Sequence, residues 1–255
     1  MSEKIITFKG GLGNQLFQYS FYLFLKKFKN DNIKLDTSWY YKFNNKKKRN
    51  FILNDILSKE IKTLVYNPSF FKIILSYRTE KIHTFFFKKN FFFPINFYSG
   101  YWQDIFFAKY LKKNFLNKKL YKKIENLPKV YYAIHGRFGD YITSHAHRPV
   151  NFKYFNKAIN KIKVNHFYAV SDDINYMKKI TKGVKAKITF LHLNQIDSFR
   201  FLYNAKGGIA SNSTFCWWPI FLSKNKNWIF PKMWLKNSTI YSENLYIPGT
   251  KILDY

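Results

Sequence analysis

The densest run of reactive side chains in this 255-residue chain is His135-Gly136-Arg137-Phe138-Gly139-Asp140-Tyr141. An imidazole, a guanidinium and a carboxylate stand there beside two glycines. A guanidinium can fork onto a phosphate through two parallel hydrogen bonds. Glycines let the main chain come close to a ligand. A surface turn closed by an Arg137–Asp140 ion pair is the plainer reading of the same residues. Two further polar clusters follow, Ser171-Asp172-Asp173 and Ser211-Asn212-Ser213-Thr214. Near the start lies a glycine loop, Gly10-Gly11-Leu12-Gly13-Asn14-Gln15.

Each cluster needs an element to deliver it, and the sequence supplies one. The apolar run Val130 to Ile134 reads as a buried strand ending at His135. Phe167 to Val170 leads into Ser171, and Gly208 to Ala210 leads into Ser211. Helices are expected over Phe152 to Ile162, with Phe155, Ala158, Ile159 and Ile162 on one stripe, then over 174–180, 197–205 and 215–222. Ile188 to Leu191 and Trp228 to Phe230 are the remaining strands. Strands alternating with helices on short connections predict a parallel, doubly wound sheet. All three polar clusters then fall at strand C-terminal ends, where such sheets bind ligands.

The first half is less regular. Ile5 to Phe8 is a strand, and a helix from about Gln15 to Phe28 follows the glycine loop, with Leu16, Tyr19, Leu23 and Phe24 on one face. Strand, glycine loop and helix N-terminus together make an opening that can take a phosphate. The spacing is wrong for the dinucleotide fingerprint, because Leu16 occupies the third glycine position, and the Gly-Lys-Ser/Thr end of a P-loop is missing. Ile33 to Asp36 is a second strand, 40–49 a basic loop or lid, and 51–66 partly helical. Phe85-Phe86-Phe87 and Phe91-Phe92-Phe93 read as core strands in preference to a membrane-facing surface. Gly100-Tyr101-Trp102-Gln103-Asp104 precedes a helix expected to reach about Phe115. A domain boundary falls near Pro128, giving 1–125 and 126–255.

Composition narrows the class. Apolar residues make up 47%, enough for a real core. Lys plus Arg is 44 against 14 for Asp plus Glu, a formal net charge of +30. Nucleic acid, an anionic membrane or an anionic substrate would each suit that charge. The single cysteine, Cys216, excludes an internal disulfide and a cysteine-rich metal site. It fits a reducing compartment. No apolar run reaches transmembrane length. Tyr19 to Leu25 imitates a signal-peptide core, but no small-residue cleavage site follows it. The expected location is the cytoplasm, with peripheral contact at the inner membrane face.

In order along almost the whole chain, these motifs resemble those of the bacterial α-1,2-fucosyltransferases, inverting glycosyltransferases that use GDP-fucose. Gly10-Gly11-Leu12-Gly13-Asn14-Gln15-Leu16-Phe17-Gln18 looks like the opening motif and Gly100-Tyr101-Trp102-Gln103 like the middle one. The 135–141 run corresponds to a His-x-Arg-Arg-Gly-Asp-Tyr signature. Ser171-Asp172-Asp173 matches Ser-Asp-Asp, and Ser211 to Trp218 is close to Ser-Asn-Ser-Thr-Phe-Ser-Trp-Trp. The chain departs from the signature twice: Phe138 stands at its second arginine, and Gly136 where a larger apolar residue is usual.

The resemblance implies a GT-B-like α/β fold, two Rossmann-like domains with the donor site in the cleft. Domain 1–125 would face the acceptor and 126–255 would bind the GDP-sugar. Arg137 would meet the β-phosphate, and His135 and Asp140 the guanine. Ser213, Thr214 and the helix they open would add phosphate contacts, with Asp172 as a hydrogen-bond anchor. Gly11, Gly13 and Asn14 would touch the phosphates or the glycosidic oxygen, so Arg137 and Asn14 are the catalytic candidates. No metal or other cofactor is expected. His145-Ala146-His147 reads as a wet loop in preference to a metal clip, and Trp217 and Trp218 as packing. The partners expected are a GDP-sugar, a glycan acceptor that can be lipid-linked, and an anionic membrane. Two rivals remain: a transferase for another GDP-sugar, prompted by Phe138 and Gly136, and a nucleic-acid-binding protein, prompted by +30 although no recognition element is present.

Overall fold

A computed structural model describes residues 4–28, 32–42, 49–65, 80–89, 96–236 and 243–255. The chain forms two compact units, one ending at Asn117 and the next beginning at Lys118. The division falls earlier than the sequence suggests, because a 3₁₀ turn at Lys118–Tyr121 packs on a helix of the second unit.

In the first unit, β1 (Lys4–Thr7), β2 (Ile33–Asp36) and β3 (Phe97–Tyr98) form a parallel sheet in the order β2-β1-β3. Helix α1 (Leu12–Phe28) starts directly after Gly10-Gly11, earlier than periodicity indicates. Gly10 has φ +81°, a turn that favours glycine, and it brings the chain off β1 straight into the helix. Leu16, Phe17, Phe21, Phe24 and Leu25 of α1 are buried. Phe21 stacks on Trp102 with centroids 3.8 Å apart and rings 6° from parallel. Short helices α2 (Ser38–Lys42) and α3 (Leu53–Ile56) follow.

Residues 80–88 are helical (α4), so Phe85 to Phe87 are not a strand. Only Phe87 of the three is fully buried, whereas Phe85 is exposed. Phe91 to Phe93 and the centre of the expected lid, 43–48, lie outside the described residues. The helix expected to reach Phe115 is a single turn, α5 (Ile105–Ala108), capped by Asp104 and followed by a 3₁₀ turn at Lys113–Phe115. After Ala108 the Tyr110 and Leu111 amides bond the Phe107 and Ala108 carbonyls, three residues back in place of four, so the helix tightens and stops although Leu111 still reaches the core.

The second unit follows the sequence reading closely. Its strands are β4 (Tyr132–Gly136), β5 (His166–Ser171), β6 (Lys187–Phe190), β7 (Gly207–Ile209), β8 (Asn227–Pro231) and β9 (Lys251–Leu253). They are all parallel and lie in the order β6-β5-β4-β7-β8-β9. Strand β9, too short and too polar to announce itself, was not foreseen. The chain runs outward from β4 to β6, then returns to β7 on the other side of β4. The doubly wound order therefore has its switch point between β4 and β7.

Helices α6 (Gly139–Ile142), α7 (Phe152–Ile162), α8 (Ile174–Ile180), α9 (Gln195–Asn204) and α10 (Thr214–Leu222) make the crossovers. Asn151 caps α7 by accepting the Tyr154 amide at 3.0 Å, and Lys163 ends it in a left-handed conformation. The stripe Phe155, Ala158 and Ile159 enters a core with Ile134, Phe138, Tyr154, Phe167, Met177 and Ile209. Trp217 and Trp218 are fully buried, and Trp217 Nε1 donates to the Leu245 carbonyl at 2.6 Å, so both are packing residues. No helix among the described residues is long and apolar enough to cross a membrane.

Candidate active site

Strands β4 and β7 hydrogen-bond to one another, so their C-terminal ends bring the 135–141 and 211–214 clusters together. His135 Nδ1 lies 2.8 Å from Ser211 Oγ. Burial, with Arg137 adding to it, pushes the His135 pKa down to about 3, so the ring is neutral at physiological pH. Cys216 Sγ donates to the carbonyls of Ser211 at 3.4 Å and Ser213 at 3.2 Å. Burial pushes that thiol up to about 12, which makes it a structural clamp on the loop. Asn212 Nδ2 donates to the carbonyls of Arg148 and Trp234, each at 2.9 Å.

Arg137 holds two carboxylates. Its Nη2 lies 2.6 Å from Asp140 Oδ1 and its Nη1 lies 3.0 Å from Asp172 Oδ2. The guanidinium side chain is 26% exposed, so it is supported from below and open on one side. Five N–H groups are available on a guanidinium, and these two contacts use two of them. Asp172 also accepts the Phe138 amide at 2.8 Å on its other oxygen. Gly139 permits this, since a Cβ there would sit 2.5 Å from Asp172 Oδ2. Asp173 turns away and caps α8 by accepting the Tyr176 amide at 2.8 Å. The two adjacent aspartates thus do separate work, as expected for neighbours on an extended segment.

Tyr141 lies near the Arg137 guanidinium, 5.5 Å from Cζ to ring centroid, and stacks on His147 at 4.0 Å. His147 Nδ1 is 2.9 Å from Ser144 Oγ. Among the described residues no three His, Cys, Asp or Glu side chains gather as a metal-binding group. Ser213 caps α10 by accepting the Phe215 amide at 3.3 Å, and Thr214 is the first residue of that helix. The sequence-predicted residues of the second unit therefore converge: His135, Arg137, Asp140, Asp172, Ser213 and Thr214 stand on the C-terminal ends of three adjacent strands.

In the first unit the glycine loop is tied to the middle motif. Gln103 Nε2 donates to Asn14 Oδ1 at 2.9 Å, and Gln18 Nε2 donates to the Gly100 carbonyl at 3.0 Å. Asn14 lies in the first turn of α1, its amide bonded to the Gly11 carbonyl at 2.9 Å, with Gly13 beside it.

Four residues here went unforeseen. Glu80 accepts the amides of Tyr101 at 3.0 Å and Trp102 at 2.5 Å, and burial raises its pKa. Lys9 packs over the Tyr101 ring at 4.9 Å, and burial lowers its pKa to about 8 against the opposing pull of Glu80. Tyr40 donates to the Gly10 carbonyl at 3.0 Å. The Arg49 guanidinium stands beside Gly11, where a Cβ would come within 3.5 Å of Nη1. Lys9 directly precedes the glycines, so its position was a usable signal. Glu80 had none, since it stands in an unpatterned stretch itself and its partners lie 21 and 22 positions further on.

The sequence profile of glycosyl transferase family 11 matches residues 3–249. The O-antigen biosynthesis glycosyltransferase WbnK of Escherichia coli is 27% identical over 283 residues, covering 88% of this chain and 92% of that protein. Among solved structures, the NodZ α-1,6-fucosyltransferase co-crystallised with GDP aligns with a TM-score of 0.56 at 11% identity, covering 88% of this chain and 93% of that one. The same enzyme soaked with GDP-fucose aligns with a TM-score of 0.56 at 12% identity, covering 87% and 93%. At such identities the likeness is one of fold.

Proposed function

Because the chain belongs to glycosyl transferase family 11, we propose that this glycosyltransferase moves L-fucose from GDP-fucose to a hydroxyl of a glycan acceptor. Galactose O2 of a surface polysaccharide or lipopolysaccharide unit is the acceptor that the α-1,2 motifs favour. The likeness to WbnK, an O-antigen enzyme, and to NodZ, a fucosyltransferase soaked with GDP-fucose, supports the donor and the acceptor class.

The observation that carries the reading is Arg137, held by two carboxylates at a strand switch point and partly open to solvent. Transfer breaks the bond from the sugar's anomeric carbon to the β-phosphate oxygen, which leaves with the electron pair as GDP. The acceptor oxygen forms the new bond from the opposite face, inverting the centre, and its proton passes to solvent. Positive charge on the sugar in the transition state makes a strong base unnecessary. Negative charge grows on the phosphate, and Arg137 meets it, so no metal is required for that role.

Thr214 and the N-terminus of α10 would support the same phosphates. His135, neutral and fixed by Ser211, would orient the guanine. Asp140 is already bonded to Arg137, so its first duty is to hold that guanidinium, and reading guanine is its second. Asn14, fixed by Gln103, would act on the donor's glycosidic oxygen alongside Gly11 and Gly13.

A second reading has a specific observation behind it. Phe138 is buried where the signature carries a second arginine, which favours a transferase for another GDP-sugar. Donor-hydrolysis assays across GDP-fucose, GDP-mannose and related donors decide between them. Turnover of another GDP-sugar without use of GDP-fucose would sink the fucose assignment.

We further infer peripheral contact with an anionic membrane. Lys153, Lys157 and Lys161 recur one turn apart on α7, Lys178 and Lys179 stand on α8, and all are exposed. Neither helix contains a carboxylate, and both pack on the same core, so they cover one face of the sheet. In a flotation assay the protein should rise with anionic vesicles and not with neutral ones. Equal recovery with both would reject the inference.

A further inference from the structure

We propose that Gly136 and Phe138 form one steric unit that positions Arg137. The role assigned to Arg137 is the one proposed above, and the inference extends it to the two residues on either side.

The geometry is an alternation. A Cβ at 136 and the Phe138 ring face the core, and Arg137 between them reaches the two carboxylates of the strand-end site. Phe138 is 0% exposed, packed on Met177, with the Tyr176 ring centroid 5.0 Å away. A Cβ built on Gly136 would fall 2.4 Å from Phe138 Cε2, 3.0 Å from Cζ and 3.1 Å from Met177 Sδ. Real side chains do not come so close, so a side chain at 136 and the ring at 138 compete for one volume. The two departures from the signature are thus a single change. Glycine at 136 opens the space, and phenylalanine at 138 fills it.

That packing reaches the site through one carboxylate. The Phe138 amide donates to Asp172 Oδ1 at 2.8 Å, while Asp172 Oδ2 receives Arg137 Nη1 at 3.0 Å. Moving the Phe138 ring moves its backbone amide, the amide moves against Asp172, and Asp172 sets the guanidinium. Gly139 closes the arrangement, because a Cβ there would displace the same carboxylate. Phe138 is a positioning residue: it touches neither donor nor acceptor and acts through Asp172 on Arg137.

Four proteins test this: wild type, Gly136→Val, Phe138→Ala and the double variant. Thermal unfolding gives a double-mutant cycle on stability. Donor hydrolysis, with whichever GDP-sugar the wild type turns over, gives kcat and KM, and calorimetry gives GDP affinity. The Arg137 guanidinium ¹⁵N resonance, assigned with Arg137→Lys, reports its position without any turnover. Each single variant should melt lower than wild type. The double variant should melt above Gly136→Val, because valine enters the space the ring vacates. Gly136→Val should lose about tenfold or more in kcat with GDP affinity nearly kept, and the Arg137 resonance should move and then return toward its place in the double variant.

Stability losses that simply add in the double variant would overturn the shared volume. A Gly136→Val protein with normal kcat and an unmoved Arg137 resonance would overturn the positioning role and leave plain packing. Failure of the donor reading shows itself separately, as a wild type that turns over no GDP-sugar while the melting and resonance results stand.

Discussion

His135 Nδ1 lies 2.8 Å from Ser211 Oγ, and this bond joins the end of β4 to the end of β7 at the switch point of the sheet. The two residues are 76 positions apart in the chain. Both are buried, and the bond ties the residue two before Arg137 to the residue two before the cap of α10, Ser213. A charged imidazole would not fit there, since burial and the neighbouring guanidinium both oppose the proton.

That opposition gives a pH dependence. His135 is held near pKa 3 in the folded chain against 6.5 as an ordinary histidine. Between those values the unfolded chain binds more protons, so stability rises with pH across the window and is lost as pH falls from about 6.5 toward 3. The effect should be on the order of a few kcal/mol. Denaturant midpoints measured across that range for wild type and His135→Asn check it, asparagine being able to keep a bond to Ser211. Parallel curves for the two proteins would show that His135 does not titrate as described.

Arg137→Ala should lower kcat by roughly 10²–10³-fold, the scale of removing one preorganised group from a developing anion. The fold and most GDP affinity should remain, because the lost contact strengthens only as the glycosidic bond breaks. Arg137→Lys should recover a part, since a point charge cannot span Asp140 and Asp172 together. Steady-state kinetics with calorimetric GDP binding read this directly. Near-normal turnover of the alanine variant would leave Arg137 as a structural arginine.

Asp172→Ala removes the acceptor of the Phe138 amide and one of the two partners of Arg137. The unpaired amide should cost about 1–3 kcal/mol. Turnover should fall less than in Arg137→Ala, and the double variant should be no slower than Arg137→Ala alone, because Asp172 acts through Arg137. Additive losses in kcat would show that Asp172 has its own contact with the substrate.

In the first unit, Glu80→Ala would strand the amides of Tyr101 and Trp102 in a buried place. A stability loss of about 3 kcal/mol is expected. Gln103→Ala should be milder for stability, yet it should reduce transfer by releasing Asn14. Melting curves paired with donor turnover separate the two effects. A Gln103→Ala protein with full activity would remove Asn14 from the catalytic set.

The second unit was legible from sequence because its signals are local. Helices such as 152–162 and 174–180 carry their own apolar stripe and their own cap, Asn151 or Asp173. Alternating elements then allow little but a parallel sheet, and a parallel sheet puts polar strand ends in one place. Sequence also marked Arg137, Asp140, Asp172 and Ser213 as neighbours in chemistry before any were neighbours in space. It failed where local signals are missing or mislead: β9 is short, the helical spacing of Phe107, Leu111 and Phe115 belongs to a helix that stops within a turn, and Glu80 reveals nothing of the two amides it holds. What only the tertiary structure decided is which partner each polar group takes. Asp140 turns to Arg137, Asp172 bridges Arg137 and the Phe138 amide, and Ser211 meets His135. It decided, too, that a side chain at 136 would claim the space of the Phe138 ring, because a contest for a single volume exists only once the chain is packed.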